Sequence, residues 1–346
     1  MPYISRVERN MSSMRQLLLV VLLSLAAAPG LFAKNRAKTK PDALNTTLNC
    51  RIFGYYGDIY IDSPQDPDIR GVFHANPGED HILQFQTDRI VTVSVNGTGL
   101  FLEPGDSLCA VIRYDANARR PASLEFSGSP RAVRHNEIYQ SLEKFRQSMR
   151  YKGQLLACAV VDVKPAVRIA DSEKLLAHVR ESLDRAGDRI SADFRTYVDT
   201  YYESMACLSK FEYPTMYAEL RKLPVEQQQI GDYWKMDADF RIRDDAVALS
   251  CPSYRELLLA YCDYSEARAA RQRGETYRRP TALEEVYAHL ASFYTGNVRD
   301  AVLFCVLANY IYQGKEVERA DPLIADYKEK YNVNKDYRNL IDRMME

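Results

Sequence analysis

The pattern of apolar and polar positions changes once along the chain. Between residues 46 and 128, short runs alternate apolar and polar positions and are separated by turn residues. In "RIVTVSVNGTGLFLEP", Val91, Val93 and Val95 point to one side and the polar residues between them to the other, which is the period of a half-buried strand. Six to eight such strands without an intervening helix predict an antiparallel β-sandwich or barrel-like module.

Three turn signals within this region predict hairpins. Asn96-Gly97 is the strongest of them, because both central positions of a type I′ turn need a positive φ. "FGYYGDIYID" predicts an earlier hairpin, and "FHANPGEDHI" predicts another around Pro77-Gly78.

From residue 129 onward the apolar positions recur at helical spacing. Ser129 is placed to cap a helix that opens with Pro130, and Thr281 with Glu284 has the spacing of a capping box. Glycines near residues 296 and 314 separate consecutive helices by short links, which predict antiparallel helical hairpins. Residues 155–170 show no assignable period. The apolar stripes, which we interpret as core, are Ile190, Phe194, Tyr197, Val198, Tyr201, Met205 and Leu208, and Tyr254, Leu257, Leu258, Tyr261 and Cys262.

The predicted fold class is therefore α+β. An antiparallel β-domain over residues 46–128 is followed by an all-α helical-hairpin domain over residues 129–346.

The N-terminal segment has the features of a secretory signal peptide. Arg15 precedes an apolar stretch from Leu17 to Phe32, and Ala33 is a suitable cleavage site. An uncleaved anchor is the alternative, but the Pro29-Gly30 break leaves the run short of the roughly 20 residues that span a bilayer. We expect a signal peptide over residues 1–33, a disordered linker over 34–45, and an exported, periplasmic protein that has no stable membrane insertion after cleavage.

The charge balance disfavours one class of partner. The chain has 46 Lys+Arg against 47 Asp+Glu, a formal net charge of -1. No field of that size attracts nucleic acid or an anionic membrane, so we expect neither as a partner.

Residues 105–108, Gly-Asp-Ser-Leu, match the signature of a serine hydrolase family. In that family the serine leaves a strand and enters a helix, and its base comes from a late Asp-x-x-His pair. Here Ser107 is followed by the strand-like "LCAVIRYD", and none of the five histidines has an Asp three positions before it. We interpret Ser107 as part of a turn.

Other candidate chemistry is weaker, and we assign no catalytic, cofactor-binding or metal-ligating residue. One predicted hairpin turn carries possible metal ligands, one acidic stretch is typical of solvated helix surface, and one arginine cluster lies in a predicted linker where it could dock an acidic partner. The three groups are His74, Glu79, Asp80 and His81; Asp237, Asp239, Asp244 and Asp245; and Arg268, Arg271, Arg273, Arg278 and Arg279.

The cysteines number seven and form no Cys-x-x-Cys motif. An odd count leaves at least one thiol free or intermolecular. Five of them sit among apolar residues, where cysteine behaves as a small buried hydrophobe; a disulfide framework is the alternative. These five are Cys109, Cys158, Cys207, Cys262 and Cys305. Cys262, close to the arginine cluster, is the candidate for a reactive thiol.

Several segments together resemble a known family. They are "LFLEPGDSL", "LEFSGSPRAVRHNEIYQSLEKF", "FEYPTMYAELRKL", "DDAVALSCPSYRELLLAYCDY" and "YTGNVRDAVLFCVLANYI". They resemble the region upstream of the thioredoxin-like domain in exported TlpA-type thiol-disulfide proteins of Bacteroidetes. The resemblance implies a small β-domain of unknown function followed by a helical segment, and it carries over no catalytic residue.

Two functions from different classes fit this sequence. The first is an exported, non-catalytic binding or scaffold protein of the cell envelope, with an unknown envelope protein or peptide as partner. The alternative is a redox-associated accessory protein or a truncated paralogue of a thioredoxin-like oxidoreductase. We favour the first, because a dithiol oxidoreductase needs two neighbouring thiols to resolve a mixed disulfide.

Overall fold

The computed structural model describes residues 43–66, 68–116, 118, 120–314 and 316–345. The predicted signal peptide and most of the predicted linker lie outside this part of the chain. The described residues form two compact units, 43–279 and 280–345. Strands precede helices along the chain, which confirms the α+β class.

The strands form two four-stranded sheets that face each other across one core. The sheet orders are β4-β1-β7-β8 and β3-β2-β5-β6, and β1 pairs with β7 in parallel while the other pairs are antiparallel. Alternate residues of the strands, such as Leu48, Val93 and Ile112, fill the space between the sheets. The strands are β1 Leu44–Phe53, β2 Asp58–Asp62, β3 Gly71–His74, β4 Asp80–Thr87, β5 Val91–Val95, β6 Thr98–Leu102, β7 Ser107–Tyr114 and β8 Pro121–Gly128.

One of the three predicted hairpins is confirmed. Asn96 and Gly97 have φ values of 48° and 81° and join β5 to β6 as a tight hairpin. The other two predictions are wrong, because β1 and β2 lie in different sheets, and so do β3 and β4. Turn residues in the sequence indicate where the chain changes direction. They do not indicate whether the next strand pairs with the preceding one or joins the facing sheet, because that depends on strands far away in the sequence.

Seven helices follow in the first unit. α1 starts at Pro130 as predicted, but the Ser129 hydroxyl accepts the Ser107 N–H at 2.9 Å instead of capping the helix. Residues 155–170, unassigned from sequence, contain α2 and the start of α3. The helices are α1 Pro130–Ser148, α2 Leu155–Val160, α3 Pro165–Ala186, α4 Ala192–Phe211, α5 Tyr213–Arg221, α6 Ala246–Ser250 and α7 Pro252–Gln272.

Helix α1 is fastened to strand β6 by side-chain amides. Asn136 accepts the Phe101 N–H at 2.9 Å and donates to the Phe101 carbonyl at 2.8 Å, and Gln140 donates to the Gly99 carbonyl at 2.9 Å. Among the described strands none pairs with the outer edge of β6, and helix α1 satisfies this edge instead. The Phe101 ring also contacts the Phe194 ring of α4 edge to face, with centroids 5.3 Å apart. The sandwich and the helical layer are therefore joined by specific contacts within the first unit.

The apolar stripe of α4 is only partly core. Phe194, Tyr197 and Val198 are buried as predicted, whereas Tyr201, Met205 and Leu208 are half-buried. The burial of small polar residues on another side of the helix, such as Thr200, Ser204 and Ser209, shows that α4 has neighbours around most of its circumference. The burial of α4 is thus wider than its apolar stripe.

The second unit contains four helices arranged around a buried carboxylate. Asp300 accepts hydrogen bonds from the Tyr327 hydroxyl, from the Asn332 amide at 3.2 Å, and from the backbone N–H groups of Val333 at 3.0 Å and Asn334 at 2.6 Å. The Asp300 side chain therefore holds the turn between the last two helices. The helices are α8 Leu283–Phe293, α9 Gly296–Gln313, α10 Asp321–Lys330 and α11 Lys335–Met345.

The ends of these helices test two sequence predictions. The predicted capping box is wrong, because α8 begins at Leu283 with Ala282 at its N-cap and no side-chain cap. Gly314 does end α9 in a left-handed conformation, with φ of 65°.

Within the described ranges, none of the helices combines the length and the apolar character that a membrane crossing requires.

Candidate functional site

An open hollow on the first unit lies on the hairpin of helices α3 and α4. α3 ends at Ala186 and α4 begins after Ser191, whose hydroxyl caps the helix by accepting the Phe194 N–H at 3.0 Å. Buried apolar residues on both helices, such as Val179 and Val198, hold the pair together. The short connection makes α3 and α4 antiparallel neighbours, so charged residues beside this seam come close together.

Two arginines and two acids form a closed network beside the seam. Arg180 donates to Asp199 at 2.9 Å and to Glu203 at 2.8 Å. Arg243 reaches the same two carboxylates, at 2.5 Å and 3.0 Å. Each acid is therefore shared by two guanidinium groups, one from α3 and one from the loop that precedes α6.

Arg243 is held in place by helix α7. Its backbone N–H donates to the hydroxyl of the buried Tyr254 at 2.6 Å, and its side chain also donates to the Thr200 hydroxyl at 2.9 Å. The loop that supplies Arg243 is thus anchored at both its backbone and its side chain.

The hollow next to this network has a volume of about 320 Å³. That volume is at the lower end of the range of small-ligand pockets. A third guanidinium, Arg195, contributes to it and is bound to Asp184 at 2.9 Å and to the Leu183 carbonyl at 2.7 Å. The lining residues are Arg180, Leu183, Asp184, Arg195, Thr196, Asp199 and Arg243.

Ion pairs keep two cations of the hollow, Arg180 and Arg243, charged. Burial alone would lower the pKa values of Arg180 and Arg243, but hydrogen bonds and ion pairs with Asp199 and Glu203 outweigh it, and both pKa values are raised. The side chain of Arg180 is 47% exposed, whereas that of Asp199 is 18% exposed. Arg180 is therefore more accessible to a ligand than Asp199, the acid that pairs with it.

Ser107 lies in the turn expected from the sequence. The Asp106 N–H donates to the Glu103 carbonyl at 3.0 Å, which closes the turn, and Ser107 begins β7. The Asp106 carboxylate is fixed by Arg131 at 2.8 Å. The signature residues thus build a strand connection, and within the described residues no histidine is hydrogen-bonded to Ser107.

Ser191, His135 and Glu103 lie close together beside this turn, but the serine hydroxyl is not hydrogen-bonded to the histidine, as a catalytic triad would require. His135 Nε2 accepts the Ser191 N–H at 3.1 Å, so the proton of the neutral ring is on Nδ1, 3.9 Å from Glu103. The Ser191 hydroxyl donates to Glu103 and not to the histidine. Burial, and then the charge of Arg131, lower the pKa of His135 to about 4. This cluster therefore joins the sandwich to α4.

The four residues proposed as possible metal ligands do not converge. His74 faces Asp58 at 3.2 Å, His81 stacks on Phe73, and Asp80 pairs with Arg51. Among the residues that the structure describes, no group of three His, Cys, Asp or Glu side chains could hold a metal ion.

The acidic stretch around residues 237–245 is a loop, so its interpretation as helix surface is wrong. Asp237 is buried against Arg268, and Asp245 caps α6 by accepting the Ala248 N–H at 2.9 Å. Arg243 lies in this loop, and two of the four acids, Asp237 and Asp245, have structural partners there.

The arginine cluster does not lie wholly in a linker. Arg268 and Arg271 belong to α7, and Arg279 pairs with Asp263 at 2.6 Å. Arg273 pairs with Glu275 at 2.8 Å. Acids within the same unit thus already engage members of the cluster.

None of the seven cysteines, all of which lie in the described part of the chain, forms a disulfide, and six are buried. Cys207, Cys262 and Cys305 are shielded as expected, and burial raises the pKa of the Cys207 thiol to about 12. The interpretation of Cys109 as buried is wrong: it is half-exposed on β7. Cys262 is 1% exposed, which removes it as a reactive candidate.

The residues of the hollow were not predicted from the sequence, although their spacing carries a signal. Arg195, Asp199 and Glu203 follow one another at intervals of four, and so do Arg180 and Asp184. Such spacing places charges on one helix face. The contribution of Arg243 has no local signal, because it comes from a loop more than 40 positions away.

Comparison of the chain with protein-family models, with curated proteins and with solved structures found no match.

Proposed function

We propose that the chain is an exported, non-catalytic binding protein of the cell envelope, and that the 43–279 unit carries its binding site. The proposal includes periplasmic localisation and the relationship to the TlpA-type proteins, which rest on the sequence segments described above.

The observation that supports a binding role is the hollow on α3 and α4. It combines a ligand-sized volume with side chains that are already held in fixed positions by Asp199, Glu203 and Tyr254. Groups that are fixed before a ligand arrives lose little conformational entropy on binding. A surface of mobile arginines would lack this advantage.

The burial and the pKa values of the cysteine thiols do not support the redox alternative. Six sulfurs are buried, and burial raises the thiol pKa of Cys50 and Cys251, to about 12 and about 11. Thiol-disulfide exchange needs an accessible thiolate. Cys109 is half-exposed, but it lies on an adjacent strand to Cys50 and one register position away from it, so the two side chains point to opposite faces of the sheet.

The proposal is tested by isolating the full chain from its native envelope fraction without denaturant. We expect a mature N-terminus near Lys34 by N-terminal sequencing, and a bound compound or peptide that is released on denaturation and identified by mass spectrometry. A chain recovered only from the cytoplasm would contradict the localisation, and an isolated chain that carries nothing and retains nothing from envelope extract would contradict the binding role.

A further inference from the structure

We propose that the hollow on α3 and α4 binds a carboxylate group. This inference rests on the proposed binding function and specifies its ligand. The hollow offers hydrogen-bond donors that are held in place by ion pairs, and a volume suited to a small group.

The donors come from the guanidinium groups. Arg180 uses Nε and Nη2 for Asp199 and Glu203, and Arg195 uses both of its Nη atoms for Asp184 and Leu183. The hydrogen bonds of Arg180 and Arg195 with the described part of the chain do not use Arg180 Nη1 or Arg195 Nε. Both arginines line the hollow, so these donors are available to an anion that enters it.

The electrostatic repulsion between the acids of the hollow and an incoming anion is reduced at each acid. Asp199 and Glu203 are each neutralised by two guanidinium groups. Asp184 is paired with Arg195 and is 78% exposed, so solvent screens its charge. A guanidinium group with free donors recognises a planar carboxylate better than an ammonium group would.

The charge balance limits the ligand to a single carboxylate. Three arginines face two lining acids and the adjoining Glu203, so the local formal charge is close to zero. A site with so little net positive charge would attract a polyanion such as a nucleotide only weakly. Leu183 and Thr196 also line the hollow, but Leu183 is only 1% exposed, so the guanidinium groups supply most of the accessible surface. A peptide C-terminus and a small free carboxylic acid both present the required chemistry.

The test is a calorimetric titration of the full mature chain at low ionic strength. The probes are N-acetyl-tetraalanine with a free C-terminus, the same peptide as its C-terminal amide, and N-acetylalanine. The variants are Arg180→Met, with Arg195→Met as a second variant in case the first fails to fold. Arg185→Met is the matched control, because Arg185 lies on the same helix, is exposed, and does not line the hollow.

We expect the free acid to bind, the amide to bind about tenfold more weakly or worse, and Arg180→Met to weaken binding by a similar factor, as loss of a charged hydrogen bond does. The Arg185→Met variant should bind like the wild type. Binding of the tetrapeptide alone would identify a peptide terminus, and equal binding of N-acetylalanine would identify a small acid; either result supports the inference.

Equal binding of acid and amide would overturn the inference, and so would wild-type affinity in folded Arg180→Met and Arg195→Met variants. If no carboxylate probe binds while the chain still retains envelope material, this inference fails and the proposed binding function stands. If the chain retains nothing either, both fail.

Discussion

Replacing Asn136 with alanine should weaken the junction between the sandwich and the helices more than any other single amide change on α1. Asn136 is fully buried, and its side chain serves both the N–H and the carbonyl of Phe101, at 2.9 Å and 2.8 Å. It donates in addition to the Ala132 carbonyl at 2.8 Å. Without the amide, the two backbone groups of the buried Phe101 lose their partners.

The magnitude follows from the number of groups left unsatisfied. Each buried backbone group without a partner costs about 1–3 kcal/mol. The Ala132 carbonyl keeps its helical hydrogen bond, and alanine regains about 0.5 kcal/mol of helix propensity. The expected loss is therefore about 3 kcal/mol in the free energy of unfolding. For a unit of this size, that loss corresponds to a decrease in Tm of about 6–12 °C.

The assay is urea unfolding of the full chain, followed by far-UV circular dichroism and by tyrosine fluorescence. Gln140→Ala is the matched control, because Gln140 lies one helical turn later and makes one half-buried bond, to the Gly99 carbonyl. It should cost about 1 kcal/mol. Equal losses in the two variants, or a loss below about 1 kcal/mol for Asn136→Ala, would refute the account of the β6 edge.

Three further predictions concern buried polar groups and thiols. In the folded chain the pKa of His135 is lowered from 6.5 to about 4, so on acidification the unfolded chain takes up a proton that the folded chain does not. The free energy of unfolding should therefore decrease by about 3 kcal/mol as the pH is lowered from 6.5 to 4. Urea unfolding of a His135→Gln variant should lack this decrease, and an unchanged decrease would assign it to other groups. Asp300→Asn should lower the free energy of unfolding of the 280–345 unit by about 2 kcal/mol in calorimetry, since an amide cannot accept all four hydrogen bonds. An unchanged free energy of unfolding would show that the turn between α10 and α11 does not depend on Asp300. Native iodoacetamide labelling read by mass spectrometry should modify Cys109 before Cys262; faster labelling of Cys262 would mean that α7 opens.

The sequence predicts structure where the determining contacts are local. The Asn96-Gly97 turn defines the β5–β6 hairpin, because φ at two adjacent positions is a local property. The start of α1 follows from Pro130 in the same way. The β1–β2 and β3–β4 connections differ, since their turns send the chain to the facing sheet, and this choice depends on strands far away in the sequence.

The candidate site shows the same division. The four-residue spacing of Arg195, Asp199 and Glu203 is visible in the sequence and places them on one helix face. That these acids are shared between Arg180 and Arg243 depends on the packing of α3 against α4 and on the path of a loop held by α7. Only the three-dimensional structure shows that exposed guanidinium donors remain beside a hollow.

The central claim, that the hollow on α3 and α4 is the binding site of an exported protein, is tested most directly by native mass spectrometry. The wild-type chain, Arg180→Met and Arg185→Met would each be isolated from the envelope fraction in the same way. The account predicts a bound carboxylate-containing species on the wild-type chain and on Arg185→Met that is absent from Arg180→Met. The same bound species at the same occupancy on all three proteins would contradict it.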